Sequence, residues 1–274
     1  MTTAADLMRT EFIKLDANDF VSSFIGQIKK TGDTFGLIFE GKSYLGFADK
    51  KELLRSRLDA TKTKVKNCLK HVPILTKNSK LADIVRLMSA ADVRALPVRD
   101  NNKVLGIIRA KDVAKELQEF YEKIKVGDIV KKRAVICNED DELGQAIDLM
   151  VKKNIDRLPI IKKDGRIAGI ISVIDFLLKF SVFPRKKTRQ PLAAAHSAMC
   201  VTGFKKDENQ NLLKCPVSNQ MSALTISCTK KNTVAEAIEI MFENDLTSLV
   251  VLENEKPEGI LTIKDIFENY RKKI

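Results

Sequence analysis

Leu143, Ala146, Ile147, Met150 and Val151 recur at i, i+3, i+4, i+7 and i+8, the apolar stripe of an amphipathic helix. Asp140, Asp141 and Glu142 stand just before it, where a helix N-terminus favours negative charge. Upstream, Ala134–Cys137 is a short apolar run that predicts a strand. Downstream, Arg157–Ile161 predicts a second strand, Lys163–Gly165 a hairpin turn, and Arg166–Ile171 the partner strand. A second helix then runs from Ser172 through Phe180.

The same order occurs three more times. One copy has Ile74–Leu75, the helix stripe Leu81, Ile84, Val85 and Met88, then Leu96–Val98, a turn at Asp100–Asn102, Val104–Ile108 and a helix from Lys111. Another has Leu224–Ile226, the stripe Val234, Ala237, Ile238 and Met241, then Ser248–Leu252 and Gly259–Thr262. The first has Phe12–Ile13, the stripe Phe20, Phe24 and Ile28, then Phe35–Phe39 and Tyr44–Phe47. Each copy closes on a glycine, apolar residues and an acid: Gly46 with Glu52, Gly106 with Asp112, Gly169 with Asp175, Gly259 with Asp265. The first three glycines recur at intervals of about 60 residues, and the last interval is longer by about 30. The distance from the last stripe residue to the glycine is about 18 residues in every copy, which makes chance an unsatisfactory account.

Each unit is thus β-α-β-β-α and about 55 residues long, too small to bury a stable core alone. Pairing is expected. The sequence divides into a first module at 1–121, with units at about 1–58 and 65–121, and a second at 122–274, with units at about 124–180 and 217–274. The extra residues, 181–216, hold Pro184, Pro191 and Pro216 and the basic run Arg185–Arg189, and read as a linker or surface insertion.

Composition changes the picture in a few places. The chain is 44% hydrophobic, and 48 Lys and Arg exceed 36 Asp and Glu for a net charge of +12. That balance favours anionic partners, whether nucleotides, nucleic acid or acidic surfaces, without choosing among them. Five cysteines form no CxxC pair, and His71 and His196 offer no metal-ligand spacing, so no metal is expected. Met1–Asp6 lacks a basic region followed by an apolar one, and reduced thiols in a cytoplasmic protein are the expectation. The apolar stretch Ile167–Phe183 is broken by Asp175 and Lys179, which argues against a membrane span. Trp is absent and Tyr occurs three times, a poor stacking platform for single-stranded nucleic acid.

The unit order and the ending Gly-apolar-apolar-Ser/Thr-x-x-Asp resemble the CBS motif, named for cystathionine β-synthase, over all of the chain except 181–216. The resemblance implies an α/β (α+β) fold in which motifs pair as Bateman modules, and two modules pack as a disc. The four-motif layout is similar to the γ subunit of AMP-activated protein kinase and to archaeal stand-alone CBS proteins. It implies adenosyl ligands in clefts between paired motifs. The final Asp would bond the ribose hydroxyls, at Asp112, Asp175 and Asp265. The hydroxyl position would meet phosphate at Ser172 and Thr262, and the basic position before the Leu-Pro strand would do so at Arg157, with Arg94 displaced by one place. Physical chemistry is consistent with this: a carboxylate accepts both hydroxyls of a ribose, and a guanidinium fork suits phosphate oxygens.

Ser172-x-x-Asp175 and Thr262-x-x-Asp265 are also capping-box spacings, and a helix start needs such residues whether or not anything binds. Both roles can coexist. The copies are unequal. The first ends on Asp49 and Glu52, which does not suit a standard ribose site. The second has Arg109 in place of the hydroxyl, a cation beside Asp112 that could aim at phosphate. The fourth has Thr247 and Ser248 where a base would precede the strand. Binding at one or two of four clefts is expected, through Asp175 and Asp265.

Basic runs at Lys62–Lys66, Lys131–Arg133 and Arg185–Arg189 read as solvated surface, with docking onto an acidic partner as the alternative. Met88, Met150 and Met241 read as core. No nucleophile-base constellation or Walker loop stands out, so catalysis is not expected. The function implied is a regulatory sensor of AMP, ADP or ATP that signals to a protein effector, as a monomeric disc or a homodimer. The alternatives are a sensor of S-adenosylmethionine or its thioether products, and a protein- or nucleic-acid-binding scaffold with unused clefts.

Overall fold

The computed structural model describes residues 2–50, 52–53, 60–101, 103–173, 213–223 and 225–274. The predicted helix after Ser172, Asp175 and most of the 181–216 insertion fall outside the described residues.

Four repeats share one topology. Repeat 1 contains β1 (Lys14–Asp16), α1 (Val21–Thr31), β2 (Phe35–Glu40) and β3 (Ser43–Asp49). Repeat 2 contains α2 (Leu81–Ala91), β4 (Ala95–Asp100), β5 (Lys103–Arg109) and α3 (Ala110–Glu116). Repeat 3 contains β6 (Cys137–Asn138), α4 (Leu143–Lys153), β7 (Arg157–Ile161) and β8 (Ile167–Ser172). Repeat 4 contains β9 (Ser227–Cys228), α5 (Val234–Glu243), β10 (Ser248–Glu253), β11 (Lys256–Thr262) and α6 (Ile263–Arg271). The first strand of a repeat runs parallel to the second, and the second pairs antiparallel with the third. In repeat 2 the first strand shrinks to a single bridge from Leu75 to Val98.

Within the described residues, the predicted helix stripes and hairpins fall where the periodicity places them. The first strands do not: they lie two or three residues beyond the expected starts at Phe12, Ala134 and Leu224. Their apolar lead-in residues Ile136 and Ile226 are exposed, and the buried positions are Leu15, Leu75, Cys137 and Cys228. A short edge strand with one inward residue carries too little alternation to mark its own boundaries.

The repeated glycines set how repeats pair. Gly46, Gly106, Gly169 and Gly259 face Ile38, Val98, Ile160 and Val251, and in every hairpin the register shifts at the next residue. The same irregularity at the same place in four hairpins is a built feature. A neighbouring chain segment crosses directly over each glycine. A Cβ on Gly106 would stand 2.3 Å from the Arg9 carbonyl oxygen, and one on Gly46 would stand 2.6 Å from Leu69 Cγ. A Cβ on Gly169 would stand 2.5 Å from the Ser222 carbonyl oxygen, and one on Gly259 would stand 2.4 Å from Val130 Cγ1. The segment leading into repeat 1 therefore crosses repeat 2, and the reverse; repeats 3 and 4 do the same. Backbone bonds fix these crossings at Arg9 with Ile107, Phe47 with Lys70, and Ile170 with Ser222.

Gly106→Val is expected to destabilise the protein by about 2 kcal/mol or more, because the Arg9 backbone cannot yield as a flexible side chain would. Gly26 in α1 has nothing within 4 Å of its Cβ position. Gly26→Ala is expected to stabilise by about 0.5–1 kcal/mol, since helical glycine loses more conformational freedom than alanine. Chemical denaturation of both variants reads the contrast.

The two pairs then meet through helices. α2 packs on α6, and α3 packs on α5 and α6, so repeats 2 and 4 share one hydrophobic core through Val85, Met88, Val113, Ile238, Met241 and Ile266. Tyr121 closes it: its buried hydroxyl donates to the Ile266 carbonyl at 2.7 Å. A second core joins repeats 1 and 3 through Phe24, Ile28, Leu143, Ile147 and Met150. The three stripe methionines are buried, as their spacing implied.

Candidate functional site

Equivalent residues of several repeats converge where the two pairs meet. At the start of each second helix, the N–H of Lys50, Ala110, Val173 and Ile263 donates to the carbonyl of Thr34, Arg94, Asp156 and Thr247 respectively. Arg94, Asp156 and Thr247 are thus the same position in three repeats, and their side chains meet. Arg94 forms an ion pair with Asp156 and donates to Thr247 Oγ1 at 3.0 Å. Burial pushes the Arg94 guanidinium below its ordinary value, and Asp49 and Asp92 oppose that shift.

Beside this junction lies a cavity of about 320 Å³, lined by residues from all four repeats. That volume is at the lower end for small-molecule sites. Repeat 4 contributes Thr262 and Asp265 from the end of β11 and the first turn of α6. Thr262 Oγ1 accepts from the Asp265 N–H at 3.1 Å, and Asp265 Oδ2 accepts from the Thr262 N–H at 2.9 Å and from its hydroxyl. The capping expectation is met at Thr262 and Asp265. The cap draws on Oδ2 alone, which leaves Oδ1 to meet a ligand.

Repeat 3 contributes Arg157, the first residue of β7, and the lead-in Lys132–Val135. The sequence reading placed Lys132 and Arg133 on plain solvated surface. Both are indeed exposed, but they also line this cavity. The cause is the crossing of the lead-in over Gly259, where the Lys132 carbonyl oxygen comes within 3.1 Å of the Cβ position. A long-range crossing leaves no local signal, and the only clue was the basic run itself. Repeat 2 contributes Arg94 and Asp92, the latter held by Lys264 at 3.0 Å. Asp92 and Asn154 adopt left-handed backbone at φ 50° and 54°, which Asp and Asn tolerate better than most residues.

Of the residues singled out from the sequence, the structure brings Arg94, Arg157, Thr262 and Asp265 to one cavity. Ser172 is buried at the end of β8, opposite Arg157 in register, and its partner Asp175 lies outside the described residues. Arg109 and Asp112 stand apart from this cavity. Arg109, which the sequence sets beside Asp112 as a cation that could aim at phosphate, donates Nε and Nη2 to the two carboxylate oxygens of Asp112, both at 2.8 Å. An Arg with an Asp three places ahead on a helix start finds that partner before any ligand. Among the described residues no cluster of His, Cys, Asp or Glu could hold a metal ion, and no helix is long and apolar enough to cross a membrane.

Comparison with known proteins follows the same lines. The CBS domain family model matches residues 65–119, 126–181 and 221–272, which are repeats 2, 3 and 4. Repeat 1, with its unusual ending, has the same strand order without being matched. The uncharacterized protein MJ1404 of Methanocaldococcus jannaschii is 24% identical over 269 residues, 96% of this chain and 60% of that protein. Inosine-5'-monophosphate dehydrogenase of the same organism is 33% identical over 132 residues, 46% of this chain. The chain thus spans 60% of the first relative and the match covers 26% of the second. The crystal structure of M. jannaschii MJ1225, proposed as an archaeal homologue of the AMP-activated kinase γ subunit, superposes with a TM-score of 0.79 at 15% identity. It covers 98% of this chain and all of its own. A conserved protein of Pyrococcus horikoshii superposes at 0.64 over 98% of this chain.

Proposed function

Because the chain belongs to the CBS-domain family, we propose that it is a non-catalytic sensor that binds an adenine nucleotide in the Asp265 cavity and signals by changing how its two pairs of repeats meet. The observation that carries this reading is the joining of one ribose-type carboxylate, Asp265, with the cations Lys132, Arg133 and Arg157 around a single cavity. Asp265 Oδ1 would accept a ribose hydroxyl. Hydrogen bonds to charged groups contribute about 1.5–3 kcal/mol each. The exposed cations at the rim would neutralise phosphate.

The cations favour a phosphorylated adenosyl ligand over S-adenosylmethionine. S-adenosylmethionine needs the same ribose contact but carries no phosphate; its one carboxylate comes with a sulfonium and an ammonium that the cations Lys132, Arg133 and Arg157 would repel. A phosphorylated adenosine uses every part of the cavity. The signalling step follows from its construction. Arg94 belongs to one pair of repeats, Asp156 and Thr247 to the other, and all three line the cavity, so a nucleotide held there would lie against both sides of the junction. A coupling of about 1–3 kcal/mol would suffice to report occupancy to a protein effector.

Calorimetry and thermal shift with AMP, ADP, ATP, adenosine and S-adenosylmethionine test the proposal. Phosphate-bearing ligands are expected to bind most tightly, and a ligand at 100 times its Kd should stabilise the fold by about 2.7 kcal/mol. A protein that answers to none of these compounds is no adenosyl sensor; one that prefers S-adenosylmethionine to AMP has a different use for its rim cations.

A further inference from the structure

The carbonyls of Thr34, Arg94, Asp156 and Thr247 accept the same backbone bond in the four repeats, so these residues are equivalent. Two copies place Thr there, one Arg and one Asp. The two charged copies meet across the junction. Arg94 Nη2 forms the ion pair with Asp156, and Nη1 donates to Thr247 Oγ1 at 3.0 Å. Both terminal nitrogens of the guanidinium are thus engaged by the other pair of repeats. They belong to the planar fork with which an arginine holds phosphate oxygens.

Arg94 differs from the cations at the rim. Lys132 and Arg133 are exposed, and water and salt screen what they offer an anion. The Arg94 side chain is 24% exposed and Asp156 is buried, so charges act on one another there with less screening. Burial disfavours the charged form of Arg94, and Asp49 and Asp92, which also line the cavity, act to keep it charged. An anion that reaches Arg94 gains more than one at the rim, but it must enter beside carboxylates. Asp92 is held by Lys264 at 3.0 Å, whereas Asp156 stands on the guanidinium itself.

We propose that Asp156 is an internal rival of the ligand's phosphate: it holds Arg94 in the ligand-free protein, and a phosphate entering the cavity takes Arg94 over. The proposal rests on the reading of this cavity as a nucleotide site and adds what regulates it. Asp156 becomes a specificity-determining residue that lowers affinity for the phosphate end of a ligand and leaves the ribose end to Asp265. The exchange also supplies the signal. The Arg94–Asp156 pair ties one pair of repeats to the other, so moving Arg94 onto phosphate opens a tie across the junction.

The test uses the full chain, calorimetry, and AMP and adenosine as probes. Asp156→Asn keeps the size of the side chain and one acceptor oxygen while removing the charge. It is expected to raise AMP affinity about tenfold or more, because a like charge beside the phosphate is gone. Adenosine carries no phosphate, and its affinity should change by less than about threefold. Asp156→Thr, which installs the residue of repeats 1 and 4, should act in the same direction. Unchanged or weaker AMP binding in both variants would overturn the proposal, as would an equal gain for adenosine, the mark of a looser cavity. Loss of cooperative unfolding in both variants would overturn it too, since Asp156 would then serve the fold. If neither the wild type nor either variant binds AMP or adenosine, the reading of the cavity falls and this proposal with it. Equal AMP affinity in the wild type and both variants sinks the proposal alone.

Discussion

Asp265→Ala is expected to weaken AMP binding about tenfold to a hundredfold while the protein stays folded, because a charged acceptor for a ribose hydroxyl is lost. The same change removes a helix cap, at a cost of about 1 kcal/mol. Thr262→Ala separates the two effects. It breaks the bond that Thr262 Oγ1 accepts from the Asp265 N–H and leaves the carboxylate in place. Both variants should lose similar stability in urea, but only Asp265→Ala should lose most of its affinity. If calorimetry finds equal affinities for wild type and Asp265→Ala, Asp265 is a cap and nothing more. The sequence could not decide between cap and ligand, since both need an acid three residues after a hydroxyl.

Arg94→Leu is expected to cost about 3 kcal/mol or more, the usual consequence of removing one partner of a buried ion pair. Asp156 is 8% exposed, so water screens its pairing with the guanidinium little. Arg94 also donates to Thr247, so the substitution loosens a junction of three repeats. The double variant Arg94→Leu with Asp156→Leu should recover a large part of the loss, because no buried charge is then left alone. Guanidinium unfolding of the wild type, the two single variants and the double variant measures this coupling directly. Additive losses would show that the two side chains act independently.

Much of the architecture was legible from local pattern. The helix stripe ending at Met150 and the hairpin over Arg157–Ile171 rest on periods that backbone geometry imposes, and they recur in each repeat. The first strands were misplaced because two or three residues do not establish an alternation. The capping role of Thr262 was legible for the same reason as the helices: donor and acceptor lie within one turn. The Arg109–Asp112 pair is equally local, yet the reading set Arg109 toward phosphate. Its further contact, with Asp33 at 3.7 Å, lies in another repeat, and no local period records it.

The sequence by itself determined the repeating unit, its order of strands and helices, the inequality of the four endings, and the need for small units to share cores. Those follow from periodicity and from how little a short unit can bury. Tertiary structure alone decided what the glycines are for, since their missing side chains matter only where another repeat's backbone crosses them. It also decided that Lys132 and Arg133 line a cavity with Asp265, and that Arg94 reaches Asp156 across the junction. Such contacts join residues far apart in the chain, and no local period records which distant segment will arrive at a given face.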